Sequence, residues 1–459
     1  MSDRALVIGL DGMPRTLLHE LAERGLVPHL SRLLDQGHCA ELQAPLPEIS
    51  STSWASFLTG ANPARHGIFG FVDLVQDGYG TYFPNVGNLA SPPIWQYAED
   101  AGLRTLCLNV PGTYPAPDMH GVVVSGFVSP NFDRAVAPAR VRETLRRLDY
   151  ELDVEVGDVA ADARGLVHRA MRAMRARTDA FEFLLRNEQW ELGVAVLTET
   201  DRVQHFLWEG VADPDHELHA ELMEFYRLAD ECVGQLVATL TDRDELFLVS
   251  DHGFGPARRQ FYMNSYLREA GWLAELEVTP QLSRLDGRTQ AFALDPARIY
   301  LHRQERFPSG SLSESEAAEV ADEIAAELLA LRTDGTHVGP DMDGPTLISS
   351  VFRAREVYSG PLLDHAPDLL ALPAPDVQLR GAWGGTDLFR PDALTGTHTR
   401  EDAIFYRRGA TAPATGWAHV DMADAAPSVL AAVGVDLPGV DGLPRMNTRP
   451  VPTPARLES

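Results

Sequence analysis

Residues 47–60, PEISSTSWASFLTG, crowd four consecutive hydroxyl residues, Ser50, Ser51, Thr52 and Ser53, into the mouth of a helix-forming segment. One hydroxyl is enough to cap a helix. A second use accounts for the surplus: a serine at a helix N-terminus beside a dication is shifted towards its alkoxide, and the same helix end offers N–H groups to a phosphate oxygen. Elsewhere the chain supplies the ligands such a dication needs. DRVQH sets Asp201 and His205 four residues apart, on one face if the segment is helical. SDHGF places Asp251 beside His252, with Gly253 available to turn the backbone, GTHTRED contributes His398, and the run ALVIGLD ends at Asp11. Three carboxylates and three imidazoles form a mixed oxygen and nitrogen set that suits Zn²⁺, and Mn²⁺ accepts similar ligands. Six side chains overfill one tetrahedral site but fit two ions, which stand roughly 3.5 to 4 Å apart in enzymes that clamp an in-line displacement at phosphorus.

The elements that must position these groups are legible as well. Three apolar runs lead into aspartates: ALVIGLD into Asp11, LGVAVLTETD into Asp201 and LFLVSD into Asp251. Short continuous apolar runs fit buried strands of a parallel sheet covered by helices. Segments 162–187 and 216–241 carry apolar residues at three- and four-residue spacing, as amphipathic helices do. Strands alternating with such helices predict a doubly wound α/β fold: a mostly parallel central sheet with helices on both faces and ligands outside the carboxyl ends of the strands. One aspartate at a strand end is often only the cap of the next helix; three on one rim, two of them near histidines, point to a site. The whole chain, 1–459, reads as one catalytic domain, with an insertion at about 113–160, a cap at about 275–345 and a return to the core near HAPDLLAL.

Composition excludes several classes. The formal charge of −27 opposes attraction to nucleic acid polymers. The sequence contains no lysine, so it holds no GK[ST] phosphate loop, lysine Schiff base or kinase lysine. Three widely spaced cysteines, Cys39, Cys107 and Cys232, suggest neither a disulfide framework nor a thiolate metal site. The first residues lack a secretory signal and no stretch has the length of a membrane span, so a cytoplasmic protein is expected.

In order along the chain, GLDG, SSTSWASFLTGANPARHGIFGF, DRVQHFLW, SDHGF, GTH and DMADAAPSVLAAVGVDLPGVDG resemble the alkaline phosphatase superfamily, and most of all its type I phosphodiesterase/nucleotide pyrophosphatase branch. The resemblance implies a nucleophile nine positions before the Thr of a Thr-Gly pair; counting back from Thr59-Gly60 gives Ser50, with Ser51 and Thr52 as alternatives if the register slips. It also implies that Asp201, His205 and His398 hold one metal ion, while Asp11, Asp251, His252 and the Ser50 oxygen hold the other. The expected activity is hydrolysis of small-molecule phosphate esters through a phosphoseryl intermediate.

The chain departs from the family pattern in two places. Many nucleotide pyrophosphatases carry Thr as nucleophile and Asn three positions later, where this chain has Ser50 and Ser53. The Cys- or Ser-x-Pro-Ser-Arg signature of sulfatases is missing, as is a clear counterpart of the transferase insert of the cofactor-independent mutases. Three readings stay open beside a phosphodiesterase: a phosphomonoesterase, a metal-dependent phosphomutase and a non-catalytic metal-stabilised binding protein. His66 reads as a hydrogen-bonded loop histidine more than a ligand, Trp54 as slot wall or core, and Arg258 and Arg259 as surface groups or a grip for a second anionic group.

Overall fold

The computed structural model describes residues 4–274, 285–334, 337–390, 393–409, 417 and 419–445. Ala5–Leu10 lies between two parallel neighbours, Leu192–Leu197 and Glu245–Val249. Thr105–Val110 extends the parallel set beside Leu192–Leu197, and Gly121–Ser125 extends it again. Beyond Glu245–Val249 the sheet turns mixed: Ala403–Arg408 runs antiparallel to it and to His38–Gln43, and His419–Asp421 closes that edge. Val136–Ala137 closes the other, completing nine strands among the described residues.

Strand periodicity explains the layers. Leu6, Ile8 and Leu10 enter one apolar core with residues of the helices Pro28–Gln36, Val159–Asn187 and His219–Val237. Ala5 and Val7 point the other way, into a second core with Trp54, Phe57 and the helix Ala425–Ala432. Alternate side chains of one strand thus feed opposite faces, and a sheet buried on both faces needs the continuous apolar runs seen in the sequence. The doubly wound, mostly parallel sheet is as expected.

The remaining segments distribute differently from the reading of the sequence. Within 113–160, Gly121–Ser125 and Val136–Ala137 form the sheet edge. Leu369–Pro373, from the stretch expected to return to the core, is instead an inner strand of a separate four-stranded antiparallel sheet with Ala291–Leu294, Arg298–Leu301 and Ile348–Arg353. Among the described residues the chain next joins the central sheet at Ala403–Arg408. An apolar run specifies a buried strand but not which sheet it joins. The helix Glu314–Ala330, with a Ser313/Glu316 capping box, packs its apolar side into the core of the smaller sheet. Residues 275–284 and 335–336 of the expected cap, and the tail from 446, lie outside the described residues.

Candidate active site

Ser50 opens the helix Ser50–Thr59, whose N-cap position is the extended residue Ile49 and whose C-terminus is closed by Gly60 in the left-handed region. No side chain caps this helix. Ser51 Oγ, Thr52 Oγ1 and Ser53 Oγ are buried without hydrogen-bond partners. Ser50 differs from the other three: its Oγ lies 3.2 Å from His252 Nε2 and donates to Asp11 Oδ1 at 3.4 Å.

Asp11 follows the strand Ala5–Leu10 directly, and Asp251 lies just past Glu245–Val249, so both sit at carboxyl ends of parallel strands. Between Asp11 and the next helix, Gly12 takes φ +65° and donates its N–H to Asp251 Oδ1 at 3.0 Å. A Cβ on Gly12 would meet His252, Phe254 and Asp201 at 3.1 to 3.3 Å, so the GLDG turn needs its glycine both for conformation and for space. Asp201 is placed otherwise than the sequence suggested. The strand stops at Leu197, and Asp201 lies in the first turn of the helix Glu199–Ala212, which puts His205 one turn further on the same face.

His398 arrives from far along the chain on a two-stranded ribbon. Gly396–Thr399 pairs antiparallel with Gly253–Pro256, with His398 opposite Phe254, and the ring of His398 stacks on that of His252 at 3.7 Å. Two groups result. In one, Asp201 Oδ1 stands 3.3 Å from both His205 Nε2 and His398 Nε2. In the other, Asp11, Asp251 and His252 converge and are buried, with His252 Nε2 3.4 Å from Asp251 Oδ2 and 3.9 Å from Asp11 Oδ1. His252 Nε2 also lies 3.9 Å from Asp201 Oδ1, so the two groups adjoin.

Every histidine of the set is anchored from behind. His205 Nδ1 faces the Gly396 carbonyl at 3.2 Å, His252 Nδ1 that of Gly253 at 2.9 Å, and His398 Nδ1 that of Glu48 at 2.9 Å. A carbonyl accepts only, so each Nδ1 carries the proton and each Nε2 presents a lone pair to the centre. Two such lone pairs, on His205 and His398, face each other at 2.9 Å. Asp201 Oδ1 and Asp251 Oδ2 are buried and make no hydrogen bond. Converging lone pairs and orphaned carboxylate oxygens repel one another unless a cation lies among them, so each donor set fits a divalent ion.

The carboxylates respond to this crowding. Burial, followed by the charges of Asp251 and Asp201, pushes Asp11 well above its usual range. Burial likewise raises Asp251 to about 6. Burial, with His398 next to it, lowers His252 and keeps it neutral, the form in which it can bind a metal.

Residues 5–401 match the family described as Type I phosphodiesterase / nucleotide pyrophosphatase. The chain belongs to the type I phosphodiesterase/nucleotide pyrophosphatase family. It is a phosphoric ester hydrolase of the metal-dependent kind that this family comprises. Its fold is similar to that of phosphonoacetate hydrolase from Sinorhizobium meliloti 1021 in complex with phosphonoformate, with a TM-score of 0.61, 17% identity, and 94% of this chain and 95% of that chain covered. It is also similar to murine ectonucleotide pyrophosphatase/phosphodiesterase 5, with a TM-score of 0.55, 15% identity, and coverage of 96% and 97%. No curated protein sequence matches the chain.

Around the two donor sets stand several residues that motif reading missed or left undecided. Trp54 is fully buried, and its Nε1 donates to Asp11 Oδ2 at 3.0 Å, leaving Asp11 Oδ1 turned towards Ser50. Thr200 Oγ1 donates to the Asp11 carbonyl and Gln204 Nε2 to that of Gly12, tying the Asp201 helix to the first strand. Below them Arg177 and Glu199 form an ion pair at 2.6 Å with both side chains fully buried, and Arg177 also donates to Thr198 Oγ1. A lone Arg and Glu 22 positions apart carry no local sequence signal for such a pair.

His66 is not part of the site. Its Nδ1 accepts from the Ile68 N–H and its Nε2 faces Ser56 Oγ at 3.0 Å, and burial lowers it to about 3. Arg258 pairs with Asp376 at 3.4 Å and its side chain is 70% exposed, so it projects to the surface.

Proposed function

We propose that this protein hydrolyses phosphoric diesters of small molecules through a covalent phosphoseryl intermediate on Ser50. The observation that carries the reading is the convergence of two three-residue donor sets, Asp201/His205/His398 and Asp11/Asp251/His252, beside the hydroxyl at the start of a helix. In this reading Asp201, His205 and His398 hold one divalent ion and Asp11, Asp251, His252 and Ser50 hold a second, both zinc by donor type, with manganese accepted. Such ions supply Lewis acidity to the serine oxygen and to the departing oxygen.

The protein's own part is to aim and hold. The Ser50 oxygen attacks phosphorus in line with the departing oxygen, forming the Ser50–phosphorus bond as the ester bond breaks. The N-terminus of Ser50–Thr59 turns its positive end towards the phosphoryl oxygens. Trp54 fixes Asp11, and three backbone carbonyls fix the imidazoles, so the donors need no rearrangement during the reaction. Water then attacks phosphorus, the Ser50–phosphorus bond breaks and the hydroxyl is restored. The smaller sheet contributes to the wall beside this centre, which supports reading the chain as a single catalytic unit. The three free cysteines agree with a reducing, cytoplasmic setting, and the charge of −27 with small rather than polymeric nucleic acid substrates.

The test is hydrolysis of bis-p-nitrophenyl phosphate, p-nitrophenyl phosphate and p-nitrophenyl sulfate by zinc- and manganese-loaded protein and by Ser50→Ala. Diester turnover that falls by about 10³-fold or more in Ser50→Ala is expected. Two in-line steps predict net retention at a chiral phosphorothioate; inversion would rule out the covalent route.

A further inference from the structure

A cavity of about 570 Å³ opens beside the candidate centre, bounded on one side by Ile49, His205 and His398 and on the other by the smaller sheet and its flanking strand. Its size is that of a site for one small molecule. Its walls are hydrocarbon for the most part: Phe71, Phe206, Leu294, Leu379, Trp383 and Leu394 all line it.

Three charged side chains at the wall are engaged with the protein itself, and Gln378 Oε1 is a buried acceptor of the lining that makes no hydrogen bond. Arg298 is paired with Asp73 and also donates to the Val72 and Asp295 carbonyls. Arg202 holds Asp153 at 2.8 Å and lies over the ring of Phe127 at 4.4 Å. The Asp295 carboxylate accepts the Gly381 N–H at 2.6 Å. A nucleoside brings a ribose and a base edge whose donors and acceptors lose water on entry, and against such a wall that loss is poorly repaid. A hydrocarbon group loses nothing and gains the burial.

We infer that the cavity receives an apolar, hydrocarbon-rich group of the substrate, an alkyl chain or an aryl ring esterified to the phosphoryl centre, rather than a nucleoside. The inference rests on the reading of Ser50 and its neighbouring donors as the hydrolytic centre. Ile49 immediately precedes Ser50, so a phosphoryl group at Ser50 places its substituent at the mouth of this cavity.

Two arms test the inference separately from that reading. In zinc-loaded wild-type protein, kcat/KM for p-nitrophenyl methyl, butyl and octyl phosphates should rise by up to about fourfold per added methylene until the cavity is filled, and the octyl ester should outrun the p-nitrophenyl ester of thymidine 5′-monophosphate. In zinc-loaded Ser50→Ala protein, calorimetric affinity for butyl, hexyl and octyl phosphate should climb in the same way, exceed that for thymidine 5′-monophosphate, and flatten when Leu394, at the partly exposed edge of the wall, is also changed to Arg. A binding gradient that persists in the Leu394→Arg background marks adventitious adsorption and overturns the inference. A flat series, or preference for the nucleotide in either arm, overturns it too. A gradient in binding that depends on Leu394, with no turnover of any ester by the wild type, upholds the hydrocarbon site and defeats the hydrolase reading instead.

Discussion

His205 and His398, 193 residues apart in the chain, bring their Nε2 atoms to 2.9 Å while their Nδ1 atoms are held by the carbonyls of Gly396 and Glu48. The carbonyls fix both tautomers, so the two facing nitrogens are both acceptors and call for a cation. Asp201 Oδ1, 3.3 Å from each, completes the set.

Replacing His398 by Ala removes one donor of that set and leaves the Asp11/Asp251/His252 set intact. Metal analysis by mass spectrometry should fall from two ions per chain to one, with diester turnover lost. Retention of both ions would show that His398 is not a ligand.

Trp54→Phe keeps an aromatic ring in the second apolar core but deletes the N–H that fixes Asp11 Oδ2. Partners of this kind tune metal affinity by roughly 10- to 100-fold. A chelator competition should show a loss of that size with the circular dichroism spectrum unchanged, whereas unchanged affinity would reduce Trp54 to a packing residue.

Arg177→Met strands the Glu199 carboxylate without its partner in a fully buried place. Breaking one half of a buried pair costs about 3 to 5 kcal/mol. Urea unfolding should show a loss of that order, and the double change Arg177→Met, Glu199→Leu should recover much of it.

The metal-free protein should depend on pH through Asp251. Its folded pKa of about 6 lies above the ~4 of an unfolded aspartate, so the stability linked to its proton is fully present below about 4 and is lost as pH rises through about 6. Bound metal requires the carboxylate and reverses the trend. The rise in Tm on adding zinc should therefore be larger at pH 7.5 than at pH 5; an increment equal at both values would separate Asp251 from metal binding.

The sequence by itself determined the parallel sheet, because strands buried on both faces must be written as unbroken apolar runs, as in ALVIGL and LGVAVL. It also determined the chemistry-bearing residue types, since Asp201 with His205 and Asp251 with His252 are local pairs whose spacing is itself a geometric statement. Local pattern stops short of long-range pairing. Whether LLALP joins the central or the smaller sheet depends on partners far along the chain, and its apolar side chains satisfy either. The Phe254–His398 register, the Trp54–Asp11 hydrogen bond and the buried Arg177–Glu199 pair likewise join residues with no common local signal. Only the folded chain decided them, because what fixes each is the desolvation of a polar group that then has to find its partner in space.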